Sequence, residues 1–232
     1  MYWLIGILLV CIIIYLTWAS ADVESNYALK VLCRGKTKEP VVSLTFDDGP
    51  DEDMTLRVLE VLKRYNVKAS FFLVGSKAKA LPHIVKKIVE EGHVVANHTY
   101  SHRGFFPLGT PRQMKRELQM CNDAISDIVH KRVKLFRPPF GVSNPMLGMA
   151  VRSIGFNAIG WSIRSFDTVT RHSRESVCQR VLSKLHAGGI ILLHDRCKDA
   201  DVLLEKLIPA ILEKGYRFVS LSELLHIDVY ED

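Results

Sequence analysis

Two adjacent carboxylates, Asp47 and Asp48, stand directly after an apolar, β-branched run at residues 41–46 and directly before a Gly49-Pro50 turn. The run is typical of a buried strand, and the Gly-Pro pair marks its end. Carboxylates at the edge of a core are costly unless they are paired, hydrogen-bonded or bound to a metal ion. Neighbouring side chains on an extended backbone point to different sides, so one carboxylate can bind a cation while the other faces whatever the cation holds. A plain turn that caps a strand is the alternative.

Two histidines, His98 and His102, are four residues apart. This spacing puts both imidazoles on one side of a helical turn, within reach of a common ion. With Asp48 they would form a site of two histidines and one carboxylate, which leaves a coordination position open for water. Histidines at this spacing are also common without a metal, so the assignment depends on Asp48 lying nearby.

Two more polar residues follow apolar segments. Arg137 precedes Pro138 and Pro139, which stiffen its loop and suit it to hold a carboxylate in a fixed geometry. His194 follows an apolar run at residues 190–193, so its ring is expected to emerge from an apolar wall. A surface arginine before a proline turn and a core histidine with satisfied nitrogens are the alternatives.

The elements that must position these residues alternate regularly between strand and helix. Alternation of this kind predicts a parallel sheet, either a closed or partly closed barrel or an open doubly wound sheet. No G-x-G-x-x-G follows the first strand, which disfavours a dinucleotide-binding fold. Seven strands are predicted, at residues 41–46, 69–74, 93–96, 134–136, 156–161, 190–193 and 217–221. Helices are predicted at residues 52–65, 82–91, 110–129, 144–153, 173–186 and 202–214.

The unusual polar residues fall repeatedly at the carboxyl ends of these strands, where parallel α/β folds place their active sites. The predicted amino ends carry no comparable cluster. We therefore expect one shared site at the carboxyl edge of the sheet. Its residues follow the first, third, fourth, fifth and sixth strands: Asp47 and Asp48, His98 and His102, Arg137, Arg164 and Asp167, and His194.

The first 21 residues carry no charged side chain and are long enough to cross a bilayer as a helix. Trp3 and Trp18 lie where interfacial aromatic residues are expected. Residues 19–21, Ala-Ser-Ala, resemble a signal cleavage site, but no basic region precedes the apolar run, which favours an uncleaved anchor. We expect a polar tether at residues 22–38 and one catalytic domain at residues 39–232. Lysines and arginines in the tether weakly favour a cytoplasmic body.

The composition is that of a globular protein, with 48% hydrophobic and 24% charged residues in a chain of 232. The formal net charge is +6, but the basic residues are scattered and no basic motif interleaved with aromatic residues suggests nucleic-acid binding. The five cysteines show no C-x-x-C and no regular spacing, so they are expected to be separate thiols.

Four motifs in order make the chain resemble the polysaccharide deacetylase family, also called the NodB-homology domain or carbohydrate esterase family 4. The resemblance covers residues 40–222. The matching stretches are Thr-Phe-Asp-Asp-Gly-Pro at 45–50, His-Thr-Tyr-Ser-His at 98–102, Arg-Pro-Pro-Phe-Gly at 137–141 and Ile-Ile-Leu-Leu-His at 190–194. The resemblance implies an α/β fold with a distorted, seven-stranded (β/α) barrel like a TIM barrel, preceded here by the N-terminal transmembrane helix.

The resemblance also implies a role for each site residue. Asp48, His98 and His102 would bind one divalent metal ion, with zinc expected. Asp47 would be the general base and Arg137 would orient it. His194 would be the general acid. The backbone N–H of Phe140 would help to hold the oxyanion, and Leu192 would line the pocket for the acetyl methyl group.

The fourth motif departs from the family pattern Asp-x-x-Asp-Trp. Residues 164–168 read Arg-Ser-Phe-Asp-Thr, so Asp167 keeps the second acid while Arg164 replaces the first acid and Thr168 replaces the tryptophan. By resemblance, Asp167 pairs with His194 and sets its pKa. The chemistry should survive this departure, whereas the preference for particular sugars is put in doubt.

The sequence therefore predicts a metal-dependent hydrolase that removes N-acetyl groups from cell-wall or surface polysaccharide. Such a substrate implies a catalytic domain outside the membrane, which overrides the weak charge argument. We expect a monomer anchored through the N-terminal helix, with no nucleic-acid partner. Two alternatives stay open: an O-acetyl esterase that acts on polysaccharide, and a non-catalytic, membrane-tethered glycan-binding module.

Overall fold

A curled parallel sheet forms the centre of the molecule, and the computed structural model describes it within residues 2–231. Eight strands are hydrogen-bonded in the order β1-β6-β5-β4-β3-β2-β8-β7, and β9 pairs with β2. The strands are β1 (Val31–Leu32), β2 (Val41–Asp47), β3 (Ala69–Leu73), β4 (Val94–Asn97), β5 (Leu135–Phe136), β6 (Asn157–Ile159), β7 (Ile163–Arg164), β8 (Gly189–His194) and β9 (Arg217–Phe218).

Helices cover the outside of the sheet, apart from α1, which precedes it. They are α1 (Tyr2–Ala21), α2 (Met54–Arg64), α3 (Gly75–Ala80), α4 (Pro82–Glu90), α5 (Pro111–Val129), α6 (Pro145–Ile154), α7 (Arg174–Ser183), α8 (Ala200–Glu213) and α9 (Leu221–Leu225), with 3₁₀ turns at Phe106–Leu108 and Pro139–Gly141. The capping box predicted at Thr110 is confirmed, because the Gln113 N–H donates to the Thr110 hydroxyl while the Gln113 side chain accepts from the Thr110 N–H.

The predicted α/β class is confirmed, and each of the seven predicted strands has a counterpart. The sheet is a half-barrel, because its path ends at β1 and β7. Sequence analysis missed these two strands, and it also missed the short helices α3 and α9. The predicted sixth strand, β8, is buried along its apolar length and lies beside β2, with Thr45 opposite Leu192 and Asp47 opposite His194.

The segment predicted as a polar tether packs partly into the folded body. Within it, β1 pairs with β6, and the side chains of Leu29, Val31 and Cys33 are buried. The Gly35 N–H donates to the Gly188 carbonyl at the start of β8. This segment therefore extends the sheet beyond β6 and covers part of the gap left by the half-barrel.

The N-terminal helix α1 is exposed along most of its length, in contrast to the helices that pack on the sheet. It has 20 residues and a mean hydropathy of 2.4 in its most apolar window, which suffices by length and composition to cross a membrane. A signal sequence would pass the same test. The end of α1 contacts the body, because the Ser143 N–H donates to the Ser20 carbonyl at 2.9 Å.

The five cysteines are unpaired, as predicted. Cys11 is exposed on α1, and the other four, Cys33, Cys121, Cys178 and Cys197, are buried.

Removal of residues 22–38 should destabilise the body. A chain of residues 39–232 should unfold at lower urea concentration than one of residues 22–232, with a loss of about 3 kcal/mol or more. The reason is that the buried side chains of Leu29 and Val31 each stabilise the fold by roughly 1.5–3 kcal/mol. Urea denaturation followed by circular dichroism measures the difference. Lys36→Ala, at an exposed position of the same segment, is the control, and equal midpoints for the two chains would contradict the expectation.

Candidate active site

The predicted site residues meet at the carboxyl edge of the sheet, around a cavity of about 210 Å³. The edge of the sheet brings them together because Asp47 and Asp48 follow β2, His98 follows β4, Arg137 follows β5 and His194 ends β8. The cavity is lined by Asp47, Asp48, His98, His102, Phe140, Trp161, Arg164, Ser165, Phe166, Thr168, Leu192, His194 and Arg196. Arg137 and Asp167 lie directly behind this lining.

Arg137 is completely buried and forms an ion pair with Asp47. Its Nη1 donates to Asp47 Oδ1 at 2.7 Å and to the Thr45 hydroxyl at 2.9 Å. Its remaining donors reach the carbonyl oxygens of Ile159 and Gly160 at the end of β6. Burial lowers the pKa of Arg137, while the charge of Asp47 offsets part of this effect. The guanidinium therefore fixes one oxygen of Asp47 and leaves Oδ2 directed towards the cavity side, 3.8 Å from His98 Nε2.

Asp48, His98 and His102 form the cluster in residues 2–231 that could hold a metal ion. Asp48 Oδ1 lies 3.4 Å from His98 Nε2 and 3.2 Å from His102 Nε2, and the three ligand atoms are within 4.8 Å of one another. Thr99 and His102 both have positive φ, so the backbone turns sharply between the two histidines and brings both rings to one side.

The donor atoms of these three residues suit a divalent ion. His98 Nδ1 lies 2.9 Å from the Arg137 carbonyl, a contact that orients the ring with Nε2 towards Asp48. Burial and then the charge of His98 lower the pKa of His102, so this ring is neutral at neutral pH. Burial raises the pKa of Asp48, but the imidazoles of His98 and His102 lower it by more, and the carboxyl is ionised. Two imidazoles and one carboxylate suit zinc and similar ions.

His194 and Asp167 form a second pair on the other side of Asp48. His194 Nδ1 donates to Asp167 Oδ1 at 2.9 Å, and the His194 backbone N–H donates to Oδ2 at 2.7 Å. Burial lowers the pKa of His194, but the hydrogen bond and the charge of Asp167 raise it by more, so the pKa lies above its ordinary value. Nε2 is then free to face the cavity, 4.0 Å from Asp48 Oδ2.

Phe140 and Leu192 line the cavity. Phe140 has a φ of 61°, and its half-exposed ring lies edge-on to His102 with ring centres 5.0 Å apart. Leu192 faces the cavity from β8, next to His194. An apolar side chain and a tightly turned backbone therefore both border the cavity.

Sequence analysis missed Arg196. Its Nε and Nη2 lie 2.9 and 2.8 Å from Asp48 Oδ2, which leaves Oδ1 for the two histidines. The same strand-end argument that selected His194 applies to Arg196, which stands two residues later. The contact was not predicted because Arg196 and Asp48 follow different strands, β8 and β2, and are 148 positions apart in the sequence.

Asp195 supports the loop that carries the two aspartates. It is fully buried, it accepts a hydrogen bond from Thr55, and burial raises its pKa to about 7. Its carboxyl packs against Gly49 so closely that a Cβ at this position would lie 2.3 Å from Oδ2. Glycine is therefore required at residue 49 for the chain to pass Asp195.

Comparison with known proteins settles the family. A sequence model of the family described as "Polysaccharide deacetylase" matches residues 34–159, more than half of the chain. This protein belongs to the polysaccharide deacetylase family. It is therefore a polysaccharide deacetylase, a hydrolase, as the motifs predicted.

Three relatives illustrate the range of the family. A peptidoglycan-N-acetylglucosamine deacetylase of Bacillus cereus is 34% identical over 81% of this chain and 89% of its own length. The crystal structure of the Bc1960 peptidoglycan N-acetylglucosamine deacetylase superposes with a TM-score of 0.79 at 32% identity, covering 87% of this chain and 95% of that one. A family 4 acetyl xylan esterase of Clostridium thermocellum, in complex with a cobalt ion, gives 0.73 at 33% identity, covering 79% and 89%.

Replacement of Asp167 by Asn should lower the pKa of His194. The amide keeps the size of the carboxylate but removes the negative charge that stabilises the protonated ring, so the ring should lose its proton at a lower pH than in the wild type. NMR titration of the histidine ring protons measures the change. Asp123→Asn, which removes an exposed carboxylate elsewhere, is the control, and an unchanged His194 titration in Asp167→Asn would contradict this account.

Proposed function

We propose that this protein removes N-acetyl groups from cell-wall or surface polysaccharide built from sugars of the N-acetylglucosamine type. The observation that carries the proposal is that a base and an acid border one cluster of metal ligands. Asp47 lies 3.8 Å from His98, and His194 lies 4.0 Å from Asp48. Hydrolysis of an amide needs an attacking water, a stabilised oxyanion and a proton for the leaving amine. In this proposal Asp47 activates the water, the Phe140 N–H stabilises the oxyanion and His194 supplies the proton.

The metal site would consist of Asp48, His98 and His102. A divalent ion, with zinc expected, supplies Lewis-acid chemistry when bound, lowering the pKa of water and polarising a carbonyl oxygen. The family relative that is described with a cobalt ion supports a metal in this fold. Arg196 holds the second oxygen of Asp48 and so would fix the orientation of this ligand.

The protein side chains would carry the protons. Asp47, held by Arg137, takes a proton from the water that adds to the acetyl carbonyl carbon. The Phe140 N–H stabilises the resulting oxyanion, and Leu192 contacts the acetyl methyl group. His194, kept protonated by Asp167, then donates to the sugar nitrogen as the C–N bond breaks, which releases acetate and a free amine. The raised pKa of His194 extends the pH range over which it can act as the acid.

Two alternatives are separated by specific observations. The structural neighbour from Clostridium thermocellum is an acetyl xylan esterase, and the same residues can hydrolyse an O-acetyl ester, so ester cleavage is the second candidate activity. A non-catalytic glycan-binding module would be expected to have lost part of the site. All seven predicted catalytic and metal-binding side chains are present and in contact here, which argues for an enzyme.

The proposal places the catalytic domain outside the membrane, anchored by α1 and monomeric. α1 is long and apolar enough to span a bilayer, and polymeric cell-wall substrates lie outside the cell membrane. The family relationship to peptidoglycan deacetylases supports this placement.

Acetate release by the full chain in lipid nanodiscs tests the chemistry. The protein is stripped with a chelator, reloaded with zinc, and given N-acetylglucosamine oligomers, peptidoglycan and O-acetylated xylan. Zinc should restore release, and Asp47→Asn should reduce it by about 10²–10⁴-fold because the base is lost while Arg137 keeps an acceptor. Asp48→Ala and His102→Ala should lose bound zinc by elemental analysis, whereas His83→Ala, at an exposed position, should retain it.

Each outcome decides between the candidates. Faster release from xylan than from the N-acetyl glycans would favour the esterase. Zinc binding with an intact fold but no release from any substrate would overturn the hydrolase and favour the binding module. Full zinc retention in Asp48→Ala would remove the metal assignment.

Arg164 should favour glycans that carry a negative charge. Its guanidinium lines the cavity, 4.7 Å from the Phe166 ring centre and 5.5 Å from that of Trp161. None of the ion pairs found within residues 2–231 involves it, so its charge is available to a ligand. Arg164→Gln should raise KM for peptidoglycan strands freed of their peptides, which bear lactyl carboxylates, more than KM for neutral oligomers.

Arg164→Lys, which keeps the charge, is the matched variant, and strands with esterified carboxylates are the matched substrate. Steady-state kinetics measure the ratio of the two KM values. If the ratio of KM for charged strands to KM for neutral oligomers is the same in Arg164→Gln as in the wild type, Arg164 does not contribute to recognition of the substrate's charge.

A further inference from the structure

Large hydrophobic side chains that remain exposed outside α1 are concentrated near the active site. Eight such side chains occur in the described part of the chain, and two of them, Val202 and Leu212, lie on α8. A third, Tyr27, packs against Tyr15 of α1, with ring centres 6.4 Å apart. We call the other five the apolar rim: Phe105, Leu108, Phe140, Met146 and Met149.

The apolar rim lies in two segments close to the active site, and Phe140 is the member of the rim that lines the cavity. Phe105 and Leu108 lie in the loop that follows the metal-binding histidines and are 81% and 82% exposed. Phe140 lines the cavity and contacts His102. Met146 and Met149 stand three residues apart in α6, on one face of that helix. Exposed side chains of this size in two segments that are hydrogen-bonded to each other indicate an interaction surface.

Hydrogen bonds join this rim to the end of α1. The Ser143 N–H donates to the Ser20 carbonyl in the last turn of α1. The next residue, Asn144, caps α6 and donates from Nδ2 to the Pro107 carbonyl at 2.6 Å, within the loop that carries Phe105 and Leu108. The end of α1, the start of α6 and this loop therefore form one connected unit.

These contacts fix the rim close to the surface of any bilayer that α1 crosses. A helix of 20 residues is about 30 Å long, which matches the hydrocarbon thickness of a bilayer. Its last turn then lies at the lipid surface, and residue 143 is bonded directly to that turn with no intervening linker. A body held in this way presents the side next to α1 to the lipid.

The chemistry of the rim matches lipid better than sugar. Aromatic faces stack on sugar rings, but Leu108, Met146 and Met149 are aliphatic and offer no such face. Apolar side chains flanked by basic ones are typical of segments that insert at the boundary between headgroups and acyl chains. Arg103 and Arg112, both exposed, flank the loop with Phe105 and Leu108.

We propose that the apolar rim rests on the lipid bilayer beside α1, so that the active site opens at the membrane surface. The enzyme then acts on N-acetylated glycan at that surface in preference to glycan further out in the wall. The proposal rests on the membrane anchor proposed above, and it does not depend on which acetyl group is removed.

Site-directed fluorescence in nanodiscs tests this contact with the full chain. Cys11→Ser removes the exposed thiol, and the four remaining cysteines are buried, so a cysteine introduced at Phe105 or Leu108 can be labelled selectively with an environment-sensitive dye. Val202→Cys and Leu212→Cys, at exposed apolar positions on α8, are the matched controls. We expect blue-shifted emission and quenching by nitroxide lipids at residues 105 and 108 and neither effect on α8.

The wild-type chain in the same nanodiscs, which keeps Cys11, separates failure of the rim from failure of the anchor. A dye on the native Cys11 should be quenched by lipids that carry the nitroxide deep in the bilayer. Quenching at Cys11 with water-like emission at residues 105 and 108 would overturn the proposal while the anchor stands. No quenching at Cys11 would overturn the anchor and the proposal with it. If the wild type releases no acetate, the proposed hydrolytic activity is wrong. The fluorescence measurements still decide whether the rim contacts lipid.

A kinetic comparison separates lipid from glycan as the partner of the rim. The double variant Phe105→Ser and Leu108→Ser should lose activity several-fold on N-acetyl oligomers coupled to vesicle lipids and keep the wild-type rate on free oligomers. An equal rise of KM on both substrates would show that these side chains bind sugar, and the proposal would then be wrong.

Discussion

The buried guanidinium of Arg137 is the constraint on which the site depends. A charge without exposure to water is tolerated only with full pairing, and here one carboxylate, one hydroxyl and two backbone carbonyls supply it. These partners belong to β2 and to the end of β6. The side chain of Arg137 therefore connects two strands that lie on opposite sides of β5 in the sheet. Its own carbonyl accepts from His98. One residue therefore holds the proposed base through its guanidinium and orients one proposed metal ligand through its carbonyl, and a shift of Asp47 would leave the buried charge without its counter-ion.

Most of the site could be predicted from sequence because parallel strands place their carboxyl ends along one edge. Asp47, Asp48, His98, Arg137 and His194 each follow an apolar run long enough to be recognised as a strand. β1 and β7 were not found in this way, and β7 begins only two positions after the predicted fifth strand ends, so the sequence did not separate the two. Val31 and Leu32 stand in a segment with many polar residues, which suggested a tether, although burial of their neighbours shows that part of the segment belongs to the body. Arg196 was not predicted because its partner, Asp48, follows a different strand.

The site combines a fixed floor with an exposed mouth. At the floor, Asp47, Asp48, His98 and Asp167 are buried and bonded to protein groups, and Asp195 braces the loop behind them. At the mouth, Phe140 and Arg164 are exposed and border the cavity, and none of the ion pairs within residues 2–231 involves the Arg164 side chain. The relatives of this chain are described with different polymers, peptidoglycan and xylan among them. The departures in the fourth motif, Arg164 and Thr168, fall at the mouth, whereas Asp167 of the same motif belongs to the floor.

The packing of Ala19 and Ser20 has a consequence for the maturation of the chain. Residues 19–21 have the small side chains that a signal peptidase recognises. In the folded protein, however, Ala19 is 1% exposed and the Ser20 carbonyl accepts a hydrogen bond from the Ser143 N–H. A peptidase needs an extended, accessible backbone at the bond it cuts. Removal of the N-terminal segment would therefore have to take place during translocation, before α6 and its preceding loop are in position. Once the body has folded, the helical conformation of residues 19–21 and the burial of Ala19 disfavour cleavage here, although Ala21 itself is exposed.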